Sequence, residues 1–182
     1  MNTKNKHPLH REIGEHLANK LKKNDNIKIL RDDACGGKQK ISLFLTNDNT
    51  ADSRLCQVDM MILKDNEIKI IIEIEESNIK PVQIFGKLFA STLAKYYIHE
   101  TEDNVISMAD DVCFIQVIDT KDLKKKSKKP EQLKNIEKAI KDKEVLKKLD
   151  FSIKTYKVFY GKLNDKELLE NIFTFIKEKL KE

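Results

Sequence analysis

The ten residues Glu67-Ile68-Lys69-Ile70-Ile71-Ile72-Glu73-Ile74-Glu75-Glu76 constrain this chain more than any other stretch. Five of them are isoleucine, and a near-continuous β-branched run suits a strand covered on both faces. A second apolar run, Gln57-Val58-Asp59-Met60-Met61-Ile62-Leu63, precedes it, with a tight turn at Lys64-Asp65-Asn66 between them. Two adjacent central strands follow. They nevertheless carry Asp59, Glu73 and Glu75. Carboxylates are seldom buried without a partner, so three on neighbouring central strands point to a cation.

Side chains alternate along a strand, so Glu73 and Glu75 share one face while Ile72 and Ile74 take the other. The position of Asp59 depends on the hairpin. A plain two-residue turn at Asp65-Asn66 pairs Asp59 with Ile72, on the wrong face. A three-residue turn at Asp65-Asn66-Glu67, or a bulge, sets Asp59 across from Glu73. A metal centre here therefore requires an odd loop or a bulge. Oxygen ligands suit Mg²⁺ or Mn²⁺. The competing reading is a solvated strand end, with Asp59 paired to a lysine. The apolar residues flanking all three acids weigh against it.

An aspartate, about a dozen residues, then Glu-x-Lys on a hydrophobic strand is the signature that Val58-Asp59 … Glu73-Ile74-Glu75 resembles. It marks the PD-(D/E)xK nuclease superfamily. Val58 stands where proline is common. Glu75 stands where lysine is usual, a variation found in some type II restriction endonucleases. The resemblance implies an α/β fold with a mixed central β-sheet flanked by helices. Its αβββαβ core would cover roughly residues 9–118, followed by a C-terminal strand and helices. It further implies Mg²⁺-dependent hydrolysis of phosphodiester bonds in double-stranded DNA, with Mn²⁺ as a substitute. Asp59 and Glu73 would be the metal ligands and Glu75 a third catalytic acid. Members often add an acid from the first helix. Glu15, in Gly14-Glu15-His16-Leu17, matches that arrangement, whereas the helical wheel puts Glu12 nearer the packed face, and both stay open. A small nuclease of this type is expected to be a homodimer cutting both strands of a short symmetric site. The alternatives are a non-catalytic nucleic-acid-binding or regulatory protein on the same fold, or a repair or junction nuclease.

Composition sets the bounds. At 182 residues, 40% hydrophobic and 36% charged, the chain is expected to form one domain over 1–182 with a sizeable core. Disorder is excluded by that apolar content. No apolar run approaches the roughly 20 residues of a membrane helix, and Met1 to Lys6 has no apolar core, so neither a membrane partner nor a signal peptide is expected. Cys35, Cys56 and Cys113 lack zinc spacing. Cys56 and Cys113 lie in apolar strands and are expected to be buried thiols, which fits a cytoplasmic protein. A net charge of +5 suits a polyanion only where lysines cluster.

The rest of the chain reads in order. Residues 8–23 predict a helix, with Pro8 in its first turn and Leu9, Ile13, Leu17 and Leu21 every fourth residue. Residues 27–30 predict a short strand, Gly36-Gly37 a turn, and 41–45 a strand or irregular insertion. Ser77 or Asn78 could cap a helix that Pro81 opens and that runs to about His99. Lys80 and Lys87 lie near that junction, and either could replace the charge that Glu75 removes. Thr101 to Asp111 reads as a polar connection. Val112 to Asp119 then predicts a buried strand parallel to the Glu73 strand, because a helix provides the crossover. Lys121 to Lys129 holds six lysines in nine residues. Lys125, Lys126 and Lys128 there, with Lys80 and Lys87, are the candidate DNA contacts; a solvated loop is the equal alternative. A lysine-rich helix over 131–149, a strand over 151–160 and an amphipathic helix through Leu168, Ile172, Ile176 and Leu180 close the chain. None of the four histidines pairs with a serine or cysteine in a nucleophile motif.

Overall fold

The computed structural model describes residues 7–22, 24–76, 80–99, 104–121, 123, 127–142, 146 and 151–181. Helix α1, Pro8–Leu21, has proline in its first turn, where the missing N–H costs nothing. Its every-fourth-residue stripe of Leu9, Ile13, Leu17 and Leu21 is buried as expected. Three antiparallel neighbours follow in space: β1, Ile27–Arg31; β4, Met60–Lys64; and β5, Glu67–Glu75. The β4–β5 turn is the two-residue Asp65-Asn66, both with positive φ, at 53° and 64°. That is the mirror-image turn whose twist matches a hairpin, and Asp and Asn tolerate it better than most side chains.

Helix α2, Pro81–Leu93, carries the chain from β5 over to β7, Val105–Asp119, which pairs with β5 in parallel. Strand β8, Ile153–Gly161, is parallel to β7 on its other side. Strands β2, Ile41–Phe44, β3, Arg54–Val58, and β6, Tyr96–Ile98, form a smaller antiparallel ladder on the first residues of β7. The path across the mixed eight-stranded sheet is β1-β4-β5-β7-β6-β2-β3.

Each face has its own core. On one side Ile70, Ile72 and Ile74 pack with Ile115 and Val117 beneath α1 and the closing helix α4, Lys166–Lys179. On the other, Ile71, Phe114 and Ile118 meet Ile84 and Leu88 of α2 and Leu133 of α3, Lys129–Asp142. Each such side chain contributes roughly 1.5–3 kcal/mol on burial, so the isoleucine run alone anchors both layers.

Several boundaries differ from the sequence reading. The predicted strand 57–63 is two strands, broken at Asp59. Helix α2 stops at Leu93 rather than near His99: Ala94 turns extended, with ψ 148°, and Tyr96-Tyr97-Ile98, good strand formers, pair with β2 and β7. The polar connection ending at Asp111 is strand from Val105 onward, because Ile106, Met108 and Ala109 have core to bury into. The lysine-rich helix covers 129–142; residues 143–145 and 147–150 lie outside the described residues. Cys113 is buried, Cys56 only half-buried, and Cys35, left unassigned by its loop position, is fully buried. Among the described residues no helix is long and apolar enough to cross a membrane.

Candidate metal centre

The register of the β4–β5 hairpin decides where Asp59 sits. Lys64 pairs with Glu67 and Leu63 with Ile68, but Ile62 pairs with Ile70. Lys69 is thus an extra residue on β5, a bulge. Beyond it Met60 lies opposite Ile72, so continuing the ladder brings Asp59 level with Glu73. The turn is the even one, and the bulge supplies the correction.

Asp59 is the single residue between β3 and β4, where the chain leaves the small ladder for the large one. Its Oδ2 accepts the Ile74 backbone N–H at 2.7 Å. His10 Nε2 lies 3.5 Å from the same oxygen. Burial pushes the Asp59 carboxyl upward, but the His10 hydrogen bond and charge, the Ile74 N–H and Lys87 outweigh it and hold its pKa below the ordinary value. Asp59 is therefore a carboxylate at neutral pH.

Glu73 is 1% exposed. Its Oε2 accepts from Lys87 Nζ at 2.8 Å. Its Oε1 is buried and has no hydrogen-bond donor among the described residues. Burial first, then the charge of Asp59, raises the Glu73 pKa well above the ordinary value, against the pull of Lys87. Two carboxylates share this corner, so the Glu73 oxygen finds a partner there only through a proton or a cation. Gln116, level with Glu73 on β7, is fully buried, and its Nε2 has no hydrogen-bond partner among the described residues. Glu75, one step along the same face, also lies 2.8 Å from Lys87 Nζ. Burial acts against the Lys87 charge, yet the two glutamates hold its pKa above the usual lysine value.

The opposite face holds a second cluster. His10 receives Glu76 twice: Glu76 Oε1 accepts the His10 backbone N–H at 2.8 Å and lies 2.9 Å from Nδ1. Burial lowers the His10 pKa, but Asp59 and Glu76 together raise it above the ordinary histidine value. His7, exposed at the start of α1, offers a ligand atom within 4.8 Å of those of His10 and Glu76. Beside Asp59, Asp32, Lys38, Gln39, Lys40 and Gln57 line an open cleft of about 580 Å³.

The structure brings Asp59, Glu73, Glu75 and Lys87 together. Glu15 is exposed and pairs with Arg11 at 3.4 Å instead. Glu12 accepts the Asn164 N–H, at 3.0 Å to its nearer oxygen, and so ties α1 to the turn before α4. The residue of α1 that reaches Asp59 is His10. Lys80 and Lys128 are exposed, and among the described residues neither pairs with these acids; Lys125 and Lys126 lie outside the described residues. His10, Glu76 and Gln116 were not singled out as site residues. His10 lies one residue after Leu9 of the buried stripe, a position that could have drawn attention to it; Gln116 gave no signal beyond a polar residue in an apolar strand.

The residues fit a hard divalent cation. Asp59 is ionised, one buried Glu73 oxygen is unpartnered, and the donors are oxygens. The class these features define is a mixed α/β protein with a carboxylate–lysine centre at its sheet. No protein-family model matches the chain, and no curated protein or solved structure matches it either.

Proposed function

We propose that this protein is a Mg²⁺-dependent endodeoxyribonuclease of the PD-(D/E)xK type, most like a type II restriction enzyme. The observation that carries the reading is the bulge at Lys69, which turns Asp59 toward Glu73 when the plain turn would have separated them. Asp59, through the oxygen not held by Ile74 and His10, and Glu73, through Oε1, would hold the ion. Mg²⁺ bound there would activate a water and neutralise charge at phosphorus. Glu75 accepts a proton from the attacking water. Lys87 supplies the positive charge that lysine gives the superfamily at the position of Glu75. Double-stranded DNA is the substrate and a homodimer the working unit, one site per strand. The three free cysteines suit a reducing, cytoplasmic setting.

The test is incubation with long duplex DNA in Mg²⁺ or chelator, beside Glu73→Ala. Discrete fragments in Mg²⁺ alone, lost in the variant, are expected. A smear would move the reading to a degradative or repair nuclease. Uncut DNA across several metals, sequences and methylation states would sink it.

One observation favours a second reading. Lys87 already contacts both Glu73 and Glu75, as it would in a non-catalytic nucleic-acid-binding protein whose acids are structural. In that case Asp59→Ala leaves DNA binding intact, and Mg²⁺ changes nothing.

A further inference from the structure

Two arginines crowd one glycine beside the cleft. Gly36 has φ 84°, and a Cβ placed on it would lie 3.3 Å from Nη1 of Arg11 and 3.3 Å from Nη1 of Arg31. The two guanidinium nitrogens are thus no more than twice that distance apart. Each is held by a loop carbonyl: Arg11 donates to the Asp33 oxygen at 3.3 Å and Arg31 to the Cys35 oxygen at 3.2 Å. Each keeps further N–H groups free of those bonds. Charge compensation is thin. Among the described residues one acid serves both: Glu15, exposed, lies 3.4 Å from Arg11 with its Cγ 3.8 Å from the same Cβ position, and no carboxylate is within ion-pair distance of Arg31. Asp32 spends Oδ1 on the Cys35 amide. Two like charges fixed side by side are unfavourable unless an anion bridges them.

Their place in the fold identifies the anion. Arg31 pairs with Met60, the residue after Asp59, and the Asp32 N–H donates to the Asp59 carbonyl at 2.9 Å. Arg11 follows His10, whose ring reaches Asp59. Arg31, Lys38 and Gln39 line an open cleft of about 420 Å³, and Lys38 and Gln39 continue into the one that Asp59 lines. We propose that Arg11 and Arg31, seated against Gly36, clamp one backbone phosphate of duplex DNA next to the phosphate attacked at Asp59 and Glu73. Planar guanidinium forks suit that oxygen geometry. The clamp joins α1 to the end of β1 around Gly36 of the β1–β2 loop.

The inference rests on the nuclease reading for its position, so it is tested by binding and not by cutting. Affinity of full-length protein for duplex DNA is measured by fluorescence anisotropy in Ca²⁺ over a range of KCl. Arg11→Gln and Arg31→Gln are each expected to weaken binding roughly tenfold or more. Each should lower the slope of log affinity against log salt by about one. The double variant should lose little further slope, because both residues hold one phosphate. Arg31→Lys, which keeps the charge and the fold but not the fork, should fall between. Unchanged affinity and slope in the variants, slope losses that simply add, or no DNA binding by the parent protein would each overturn the clamp. A parent that binds through these arginines yet never cuts would leave the clamp standing and remove the nuclease.

Discussion

Replacing Glu73 by glutamine should make the metal-free protein more stable, and only at high pH. Glu73 is 1% exposed, one oxygen lacks a donor, and Asp59 crowds it. A glutamine can keep its oxygen on Lys87 and turn its amide toward Asp59, putting a donor where two carboxylates now meet. Relieving a buried unpaired oxygen is worth about 1–3 kcal/mol. The sign with pH follows from the raised Glu73 pKa. Below about 4.5, its ordinary value, the acid is protonated in folded and unfolded chains alike, so it costs nothing. As pH rises from there through the folded-state pKa, the unfolded chain ionises first and the wild type loses stability.

Thermal unfolding in EDTA at pH 8 and pH 5 measures this directly. Glu73→Gln should exceed wild type at pH 8, by roughly 2–4 °C in Tm for each kcal/mol in a chain of this size. The gap should shrink at pH 5. Adding Mg²⁺ at pH 8 should raise the wild type and leave the variant unmoved. Glutamine destabilising the apo protein, or a gap that does not change with pH, would refute the buried-charge argument.

Lys87→Ala leaves Glu73 and Glu75 facing one another; allowing for the part-exposed lysine, it should cost about 2 kcal/mol at pH 8 by urea unfolding, and less at low pH. Asp165→Ala removes the side chain that caps α4 by accepting the Leu168 N–H at 3.0 Å, and should cost about 0.5–2 kcal/mol by thermal unfolding. Gly14→Ala would put a Cβ 2.1 Å from the Cys35 carbonyl oxygen, where α1 meets the β1–β2 loop. It should cost at least about 2 kcal/mol and lower soluble yield, whereas a typical surface change stays within about 0.5 kcal/mol.

What the sequence made legible follows physical lines. The isoleucine run announced a strand covered twice, and period-two alternation put Glu73 and Glu75 on one face; both hold, because both depend only on local geometry. Helix α1 was equally plain, since its stripe is regular. The end of α2 was not. Leu93, Tyr96 and Tyr97 fit a helical stripe, and only pairing with β2 and β7 made Tyr96 to Ile98 a strand. His10 escaped for a similar reason: its neighbours Glu76 and Asp59 are distant in sequence and meet it only once both strands have been placed. Lys80 and Lys87 were indistinguishable by composition. The helix phase puts Lys87 above the acids, whereas Lys80, before Pro81, stays in solvent.

The bulge is the feature that no local rule could place, and it carries a last prediction. Lys69 is the extra residue on β5, and opposite it β7 also departs from register, stepping from Met108 to Cys113 while β5 steps from Ile68 to Ile70. The two irregularities are joined by Lys69 Nζ and Asp111 Oδ1 at 2.6 Å. Lys69→Ala removes only that pair, a half-buried lysine and an exposed aspartate, and should cost about 0–1 kcal/mol. Deleting Lys69 is a different perturbation. With the Asp65-Asn66 turn kept, Leu63 still pairs with Ile68 and Ile62 with Ile70, so the deletion straightens the strand while Asp59 stays level with Glu73 and every side chain keeps its face. No buried side chain is misplaced, so the deletion should cost little more than the alanine change and leave any Mg²⁺ stabilisation in place. A deletion that costs several kcal/mol more by urea unfolding, or that abolishes the Mg²⁺ effect, would mean that the strands do not keep this register once the bulge is gone. The meeting of Asp59 and Glu73 would then depend on the bent geometry of the bulge itself and not only on the residue count it corrects.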